Sequence, residues 1–326
     1  MDYGRVEIAK NRVSPIMIPV KARMTVIDTD PGIDDAIAIL LALVSPEFDI
    51  RGLVTVAGNI GIGTTTRNAG GILALAERSD IPVIVGASSP LSRSTPEPLE
   101  LHGADGIGGV ALPAPMRQPV RTPATEWLSD LLLAHPPGTV EVFALGPLTN
   151  LARLVIERPD AAMRIGRIVA MGGTIHEPGN VGPRTEFNIA ADPESADVVL
   201  RSGISLILIP LDVTRRVRAT RDFVDALAAS GSPIAGTVAN LIATYFTSAT
   251  DRESRPLHDP SVILFALRPD LFELKTLRLG VDTGTDEDAG FLTTDRSEAH
   301  LVQVAMSVDA PAVLHVLKQH LSAERG

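Results

Sequence analysis

Apolar runs of two kinds alternate along most of the chain. Short β-branched stretches of strand length are followed by longer runs of helix formers, with Gly, Pro, Asn or Asp between them. The first such unit opens at Val26 and Ile27, breaks at Pro31 and Gly32, and continues from Ala36 to Leu43 as an apolar helix. Residues 50–56 then predict a strand and 64–77 a helix, followed by a short strand at 82–86 and a helix at 123–134. Strand 140–145 leads through residues 146–150 into a helix that runs to Val155, and strand 167–171, helix 193–201 and strand 205–209 continue the rhythm. Residues 211–267 read as mainly helical, interrupted at 251–259. The tail offers strands near 273–281, 290–293 and 300–308 and a last helix at 310–321. Two long stretches, 87–118 and 174–188, are rich in Gly and Pro and read as loops.

A repeated βα alternation implies a mostly parallel central sheet flanked by helices on both faces, an α/β, Rossmann-like arrangement. No internal repeat or linker divides it. The expectation is a single domain over residues 23–326, preceded by a flexible extension at 1–22.

Composition narrows the chemistry. The 326 residues include no Cys, which excludes disulfides, thiolate catalysis and Cys-based zinc sites, and fits a reducing, cytoplasmic location. A net charge of −10 and 3% aromatic residues give no support to nucleic acid as a partner. No apolar run is long enough to span a bilayer, so no membrane partner is expected.

Four carboxylates, Asp28, Asp30, Asp34 and Asp35, fall within eight residues at the first strand-to-helix turn. Asp34 and Asp35 each suit a helix N-terminus as ordinary caps. Asp28 and Asp30 do not, because they close a strand that should otherwise be apolar. Ligands in open α/β folds bind at such carboxyl edges, and carboxylates crowded there repel one another unless a cation sits among them. Oxygen donors without thiolates select calcium or magnesium. Other loop residues at strand ends, Asn59, Asn180, Glu186, Asn188 and Asp259 with the Leu145 carbonyl, could converge on the same place and grip the hydroxyls of a sugar. Water acidified by the cation, a carboxylate to take its proton, and negative groups around a cationic transition state would suit hydrolysis at a sugar carbon.

With those residues assembled, the chain resembles the inosine–uridine-preferring nucleoside hydrolases from about Met24 to the last helix. The motif D-x-D-P-G-x-D-D-A is complete at residues 28–36. In order behind it stand Ala57-Gly58-Asn59, His102-Gly103, the run from Leu145 to Asn150, Met171-Gly172-Gly173, Gly179-Asn180, Glu186-Phe187-Asn188 and His258-Asp259-Pro260. The resemblance implies calcium held by Asp30, Asp35, Asp259 and the Leu145 carbonyl, with Asp30 also taking the proton of the attacking water. It implies that Asp34 and Asn188, with Asn59 nearby, hold the ribose 2′- and 3′-hydroxyls. Asn180 and Glu186 would grip the 5′-hydroxyl, with Met171 against the sugar and Phe187 in the same substrate-binding motif. His258 would assist departure of the base, and His102 would close over it from a loop. The implied substrate is a ribonucleoside, and the implied assembly a homodimer or homotetramer.

Bland readings stand beside these. Met171 is by default core filler, Asn180 and Glu186 are by default turn and surface residues, and His258 could cap the approach to the next helix. The base-recognising helix reaches residues 245–253, where no family pattern aligns, and the one tryptophan, Trp127, falls in an outer helix. Two rival functions use the same residues. A calcium-dependent nucleoside or ribose binder would keep the site without turnover. An aspartyl phosphatase also begins with D-x-D, but it expects Thr or Val where Gly32 stands.

Overall fold

The computed structural model describes residues 22–94, 103, 105–248, 254–294 and 300–323. The expected N-terminal extension, apart from Ala22, lies outside them, as does His102.

The first half follows the predicted rhythm. It runs β1 (Arg23–Thr29), α1 (Ile33–Val44), β2 (Phe48–Thr55), α2 (Ile62–Leu75), β3 (Val83–Val85), α3 (Ala124–Ala134) and β4 (Val140–Ala144). Next come α4 (Thr149–Glu157), α5 (Pro159–Ala162), β5 (Ile165–Met171), α6 (Phe187–Ala191), α7 (Pro193–Arg201) and β6 (Leu206–Ile209). The chain then passes through α8 (Leu211–Thr214), β7 (Arg218–Thr220), α9 (Arg221–Ala228), α10 (Pro233–Ser248), β8 (Ser254–Pro256) and α11 (Pro260–Leu267). It closes with β9 (Phe272–Val281), β10 (Leu292–Thr293), β11 (His300–Val308) and α12 (Ala310–Ser322).

One nine-stranded sheet orders these strands β10-β9-β11-β6-β5-β4-β1-β2-β3. From β11 to β3 neighbours pair parallel, and β9 and β10 add an antiparallel edge. The chain winds outward from β1 to β3 and then returns to place β4 on β1's other side. That reversal opens a crevice at the carboxyl ends of β1 and β4, the place where such sheets bind ligands.

Why β1 is a strand is visible in its neighbours. Ile27 packs with Leu53, Phe143, Val169 and Ile207 on one face, and Val26 with Val54, Val142, Ile168 and Leu208 on the other. Both faces are covered, so the strand reads as continuous apolar sequence rather than an alternation. Each such fully buried aliphatic side chain contributes about 1.5–3 kcal/mol. Helix α1 is buried along nearly its whole length, so it too is apolar all round. Trp127 of α3 packs over Gly52 of β2, away from the crevice, as an outer-helix residue should.

Two details differ, although residues 211–267 are mainly helical as expected. The stretch read as mainly helical contains a two-stranded antiparallel ribbon, β7 with β8, whose three-residue strands are too short to carry any period. The loop expected to run through Asn188 instead ends at Phe187, where α6 begins under a Glu186 cap.

Candidate active site

The turn between β1 and α1 is built by its own acids. The Asp35 side chain, in the first turn of α1, accepts the Gly32 N–H at 3.1 Å and the Asp30 N–H at 3.2 Å. It also accepts the Thr29 hydroxyl at 2.5 Å and the Asn59 amide at 3.2 Å. The cap reading of Asp35 is therefore correct as far as it goes. Asp34 reaches across the molecule, its Oδ2 accepting the His258 backbone N–H at 2.9 Å.

Asp30 is fully buried. Its Oδ2 accepts the Asn59 N–H at 2.6 Å, while Oδ1 has no hydrogen-bond partner in the protein. A Cβ added at Gly58 would collide with one carboxylate oxygen of Asp30, and one at Gly146 with the other. Only glycine leaves the carboxylate this room. Sequence reading placed neither glycine in the site, because their contact with Asp30 is long-range.

The electrostatics are one-sided. Burial, then repulsion from Asp35, pushes the Asp30 carboxyl well above the usual carboxylate range. Asp259 is pushed up in the same direction by burial and by Asp35, Asp34 and Asp30. Asp28, held at Oδ1 by Asn150 at 3.2 Å, is raised by burial to about 8, and its Oδ2 has no partner. All the strongest charges acting on Asp30 and Asp259 are carboxylates.

That imbalance, with an oxygen-only donor set, fits a hard divalent cation among Asp30, Asp35, Asp259 and the Leu145 carbonyl. Among the described residues no three His, Asp or Glu side chains form a finished metal-binding group. Both oxygens of Asp35 are turned to donors of its own turn and to Asn59. The fit is one of charge and donor type.

On the other flank Asn188, buried at the head of α6, donates its amide to the Leu145 carbonyl at 2.7 Å and the Met171 carbonyl at 3.2 Å. Its Nδ2 also lies 3.4 Å from the Met171 sulfur. Met171 is thus both core filler and part of the wall. Glu186 caps α6, its Oε2 accepting N–H groups from Gly173 (2.9 Å), Asn188 (3.0 Å) and Ile189 (3.3 Å). Burial nevertheless raises its carboxyl to about 7, against those hydrogen bonds. Asn180 is exposed, and its Oδ1 accepts the N–H of buried Phe187 at 2.9 Å. His258, half-buried before α11, has its Nδ1 2.7 Å from the Thr214 hydroxyl.

Hydrogen bonds and mutual repulsion therefore tie Asp30, Asp34, Asp35, Asn59, Leu145, Met171, Glu186, Asn188, His258 and Asp259 into one cluster, with Asn180 and Phe187 at its rim. His102 and residues 249–253 lie outside the described residues. Thr214, Asn150, Gly58 and Gly146 were not singled out by sequence reading as site residues. A void of about 510 Å³, lined by Val44, Leu75, Ile234 and Leu321, lies near the amino ends of the strands. It brings none of the clustered acids together.

Comparison with known proteins shows the family. The profile described as inosine-uridine preferring nucleoside hydrolase matches residues 25–315. A probable uridine nucleosidase 2 of Arabidopsis thaliana is 38% identical over 311 residues, 91% of this chain and 96% of the relative. A plant nucleoside hydrolase structure superposes with TM-score 0.87 at 34% identity, covering 93% of this chain and 99% of the other. A purine-preferring ribonucleoside hydrolase from Gardnerella vaginalis gives 0.86 at 29% identity, covering 92% and 98%. The chain belongs to the inosine–uridine preferring nucleoside hydrolase family and is a nucleoside hydrolase.

Proposed function

We propose that the protein hydrolyses the N-glycosidic bond of ribonucleosides to ribose and free base in a calcium-dependent reaction. The observation that carries this reading is the Asp30 carboxylate, buried, with Oδ2 fixed by Asn59 and Oδ1 left without a protein partner between two glycines. Asp30, Asp35, Asp259 and the Leu145 carbonyl would hold calcium. When bound, the cation offsets their charge and makes nearby water more acidic.

Asp30 Oδ1 accepts the proton of the attacking water as the bond to the anomeric carbon forms. The surrounding carboxylates stabilise the positive charge that develops on the sugar. Asp34, fixed through the His258 backbone, accepts from a ribose hydroxyl. Asn188 has spent its amide hydrogens on Leu145 and Met171, so its own carbonyl oxygen is the group that accepts from the other. Asn59 supports Asp30 and Asp35 from beside the ribose. Glu186 offers Oε1 to the 5′-hydroxyl, with Asn180, Phe187 and Met171 shaping that end. His258 donates to the departing base, and His102 completes the cover.

The relatives carry names for uridine and for purine nucleosides, so base preference is left to measurement. We assign the catalytic domain to residues 23–326 and treat 1–22 as an extension outside it. A cytoplasmic homodimer or homotetramer is the assembly the resemblance favours, and the lack of Cys agrees with a reducing compartment. Among the described residues no helix is long and apolar enough to cross a membrane.

Release of reducing sugar from inosine, uridine, cytidine, adenosine and guanosine, with and without a calcium chelator, tests the proposal. Chelator-sensitive release restored by calcium is the expected result. Turnover that ignores the chelator would remove calcium from the mechanism, and no release from any nucleoside would remove the reaction.

A further inference from the structure

His258 is gripped from two directions. Its backbone N–H is fixed by Asp34 Oδ2 at 2.9 Å, and the preceding Leu257 N–H by the Val217 carbonyl at 2.8 Å. With the main chain held, the ring's Nδ1 lies 2.7 Å from Thr214 Oγ1.

Thr214 is fully buried at the end of α8. Among the described residues its hydroxyl has no other hydrogen-bond partner. A buried hydroxyl carries one hydrogen that is costly to leave without an acceptor, and here the acceptor present is the ring nitrogen. That hydrogen is satisfied when the hydroxyl donates and Nδ1 accepts. A neutral imidazole that accepts at Nδ1 carries its hydrogen on Nε2, at the other edge of the ring.

The platform beneath Thr214 is rigid. Its own N–H bonds the Pro210 carbonyl at 3.1 Å, and Asp212 of the same short helix accepts the N–H groups of Ile175 and His176, both at 2.8 Å. The next residue, Arg215, donates to the Pro178 carbonyl at 2.6 Å and the Gly179 carbonyl at 3.0 Å. One turn of helix is thus anchored to the loop that carries Asn180 on one side and to His258 on the other.

We propose that Thr214 is a positioning residue: its hydroxyl holds the His258 ring in the Nε2–H form and turns that N–H toward the leaving base. The inference rests on the reading of His258 as the partner of the base. It adds the residue that sets which nitrogen donates.

Nitrogen NMR of histidine-labelled, calcium-loaded protein reads the ring directly, with the His258 signals identified by their loss in His258→Ala. The wild type is expected to show hydrogen on Nε2 and none on Nδ1. In Thr214→Val the signals should move toward a mixture of the two forms. Turnover of inosine and uridine should fall about 10- to 100-fold, while p-nitrophenyl riboside, whose leaving group needs no donor, should lose less than about threefold. Thr214→Ser, which keeps the hydroxyl, should restore both readouts.

Hydrogen on Nδ1 in the wild type overturns the proposal even if the valine variant does not fold. Equal losses on nucleosides and on the nitrophenyl riboside, or no rescue by serine, would make Thr214 merely structural and also overturn it. If His258→Ala turns over nucleosides normally, it is the reading of His258 that fails. The NMR result on the wild type still judges the Thr214 contact separately.

Discussion

The two ends of β1, β4 and β5 treat buried charge in opposite ways. Near their amino ends Glu141 of β4 stands between Arg23 of β1 at 3.4 Å and Arg167 of β5 at 3.0 Å. The carboxylate is largely covered, and the chain supplies both of its cations. Three residues further along β4 the same strands end in Asp28, Asp30 and the Leu145 carbonyl, with Asp35 and Asp259 beside them. There the strongest charges acting on Asp30 and Asp259 are other acids. The fold balances its own charge where charge serves the fold. At the other end the strongest charges around the acids are further acids, and burial raises their carboxyls.

The largest effect should come from Asp30→Asn. Nucleoside turnover is expected to fall at least about 1000-fold, because the proposed proton acceptor is gone. Chelated protein should become more stable in the same variant, since a buried like charge is removed. Turnover and urea midpoints measured on one preparation check both signs. Loss of stability under chelation would mean that Asp30 is held by the fold rather than strained within it.

A second effect is pH dependence of the metal-free protein. Asp28 is raised to about 8 and Glu186 to about 7, both by burial, above their ordinary values of 3.8 and 4.5. The folded state then binds more protons than the unfolded state between those limits. Stability contributed by these groups falls as pH rises from about 4 through 8. Denaturation midpoints at several pH values under chelation should decline over that window, and Glu186→Gln should flatten the part between about 5 and 7. A midpoint that rises with pH would contradict the assignment of burial as the dominant cause.

Removing charge at the balanced end should do less. Glu141→Gln leaves Arg23 and Arg167 facing each other half-buried and should cost about 1–3 kcal/mol, with turnover unchanged. Smallest is Asp80→Asn, which breaks an exposed pair with Arg78 at 2.8 Å and should change stability by less than about 1 kcal/mol. If Glu141→Gln reduced turnover as Asp30→Asn does, the contrast between the two ends would collapse.

Much of this was legible in the chain because the relevant signals are local. A buried strand that ends in Asp-x-Asp, a Pro-Gly break and an apolar helix lie within twenty residues, and each follows from propensity and period. The ribbon of β7 and β8 was not legible, because its strands are three residues long and pair across the whole of α9 and α10. Asn150 was read as part of a helix start, yet its side chain ties Asp28 to the Thr55 carbonyl and the Ala87 N–H. Gly58 and Gly146 look like ordinary turn glycines until Asp30 is seen between them. Thr214 carries no motif at all. Its role appears only when residues 44 positions apart are brought together.

The bond from the His258 backbone to Asp34 joins residues separated by 224 positions. A ribosome that has completed the acidic turn must still translate the 224 residues up to His258 before the segment that closes over it emerges. During that interval the nascent polypeptide carries the turn without Asp259. Fragments ending before His258 should therefore bind calcium poorly and release no sugar, however well their first strands pair. Closure of the acidic turn therefore waits on a segment made long after the turn itself.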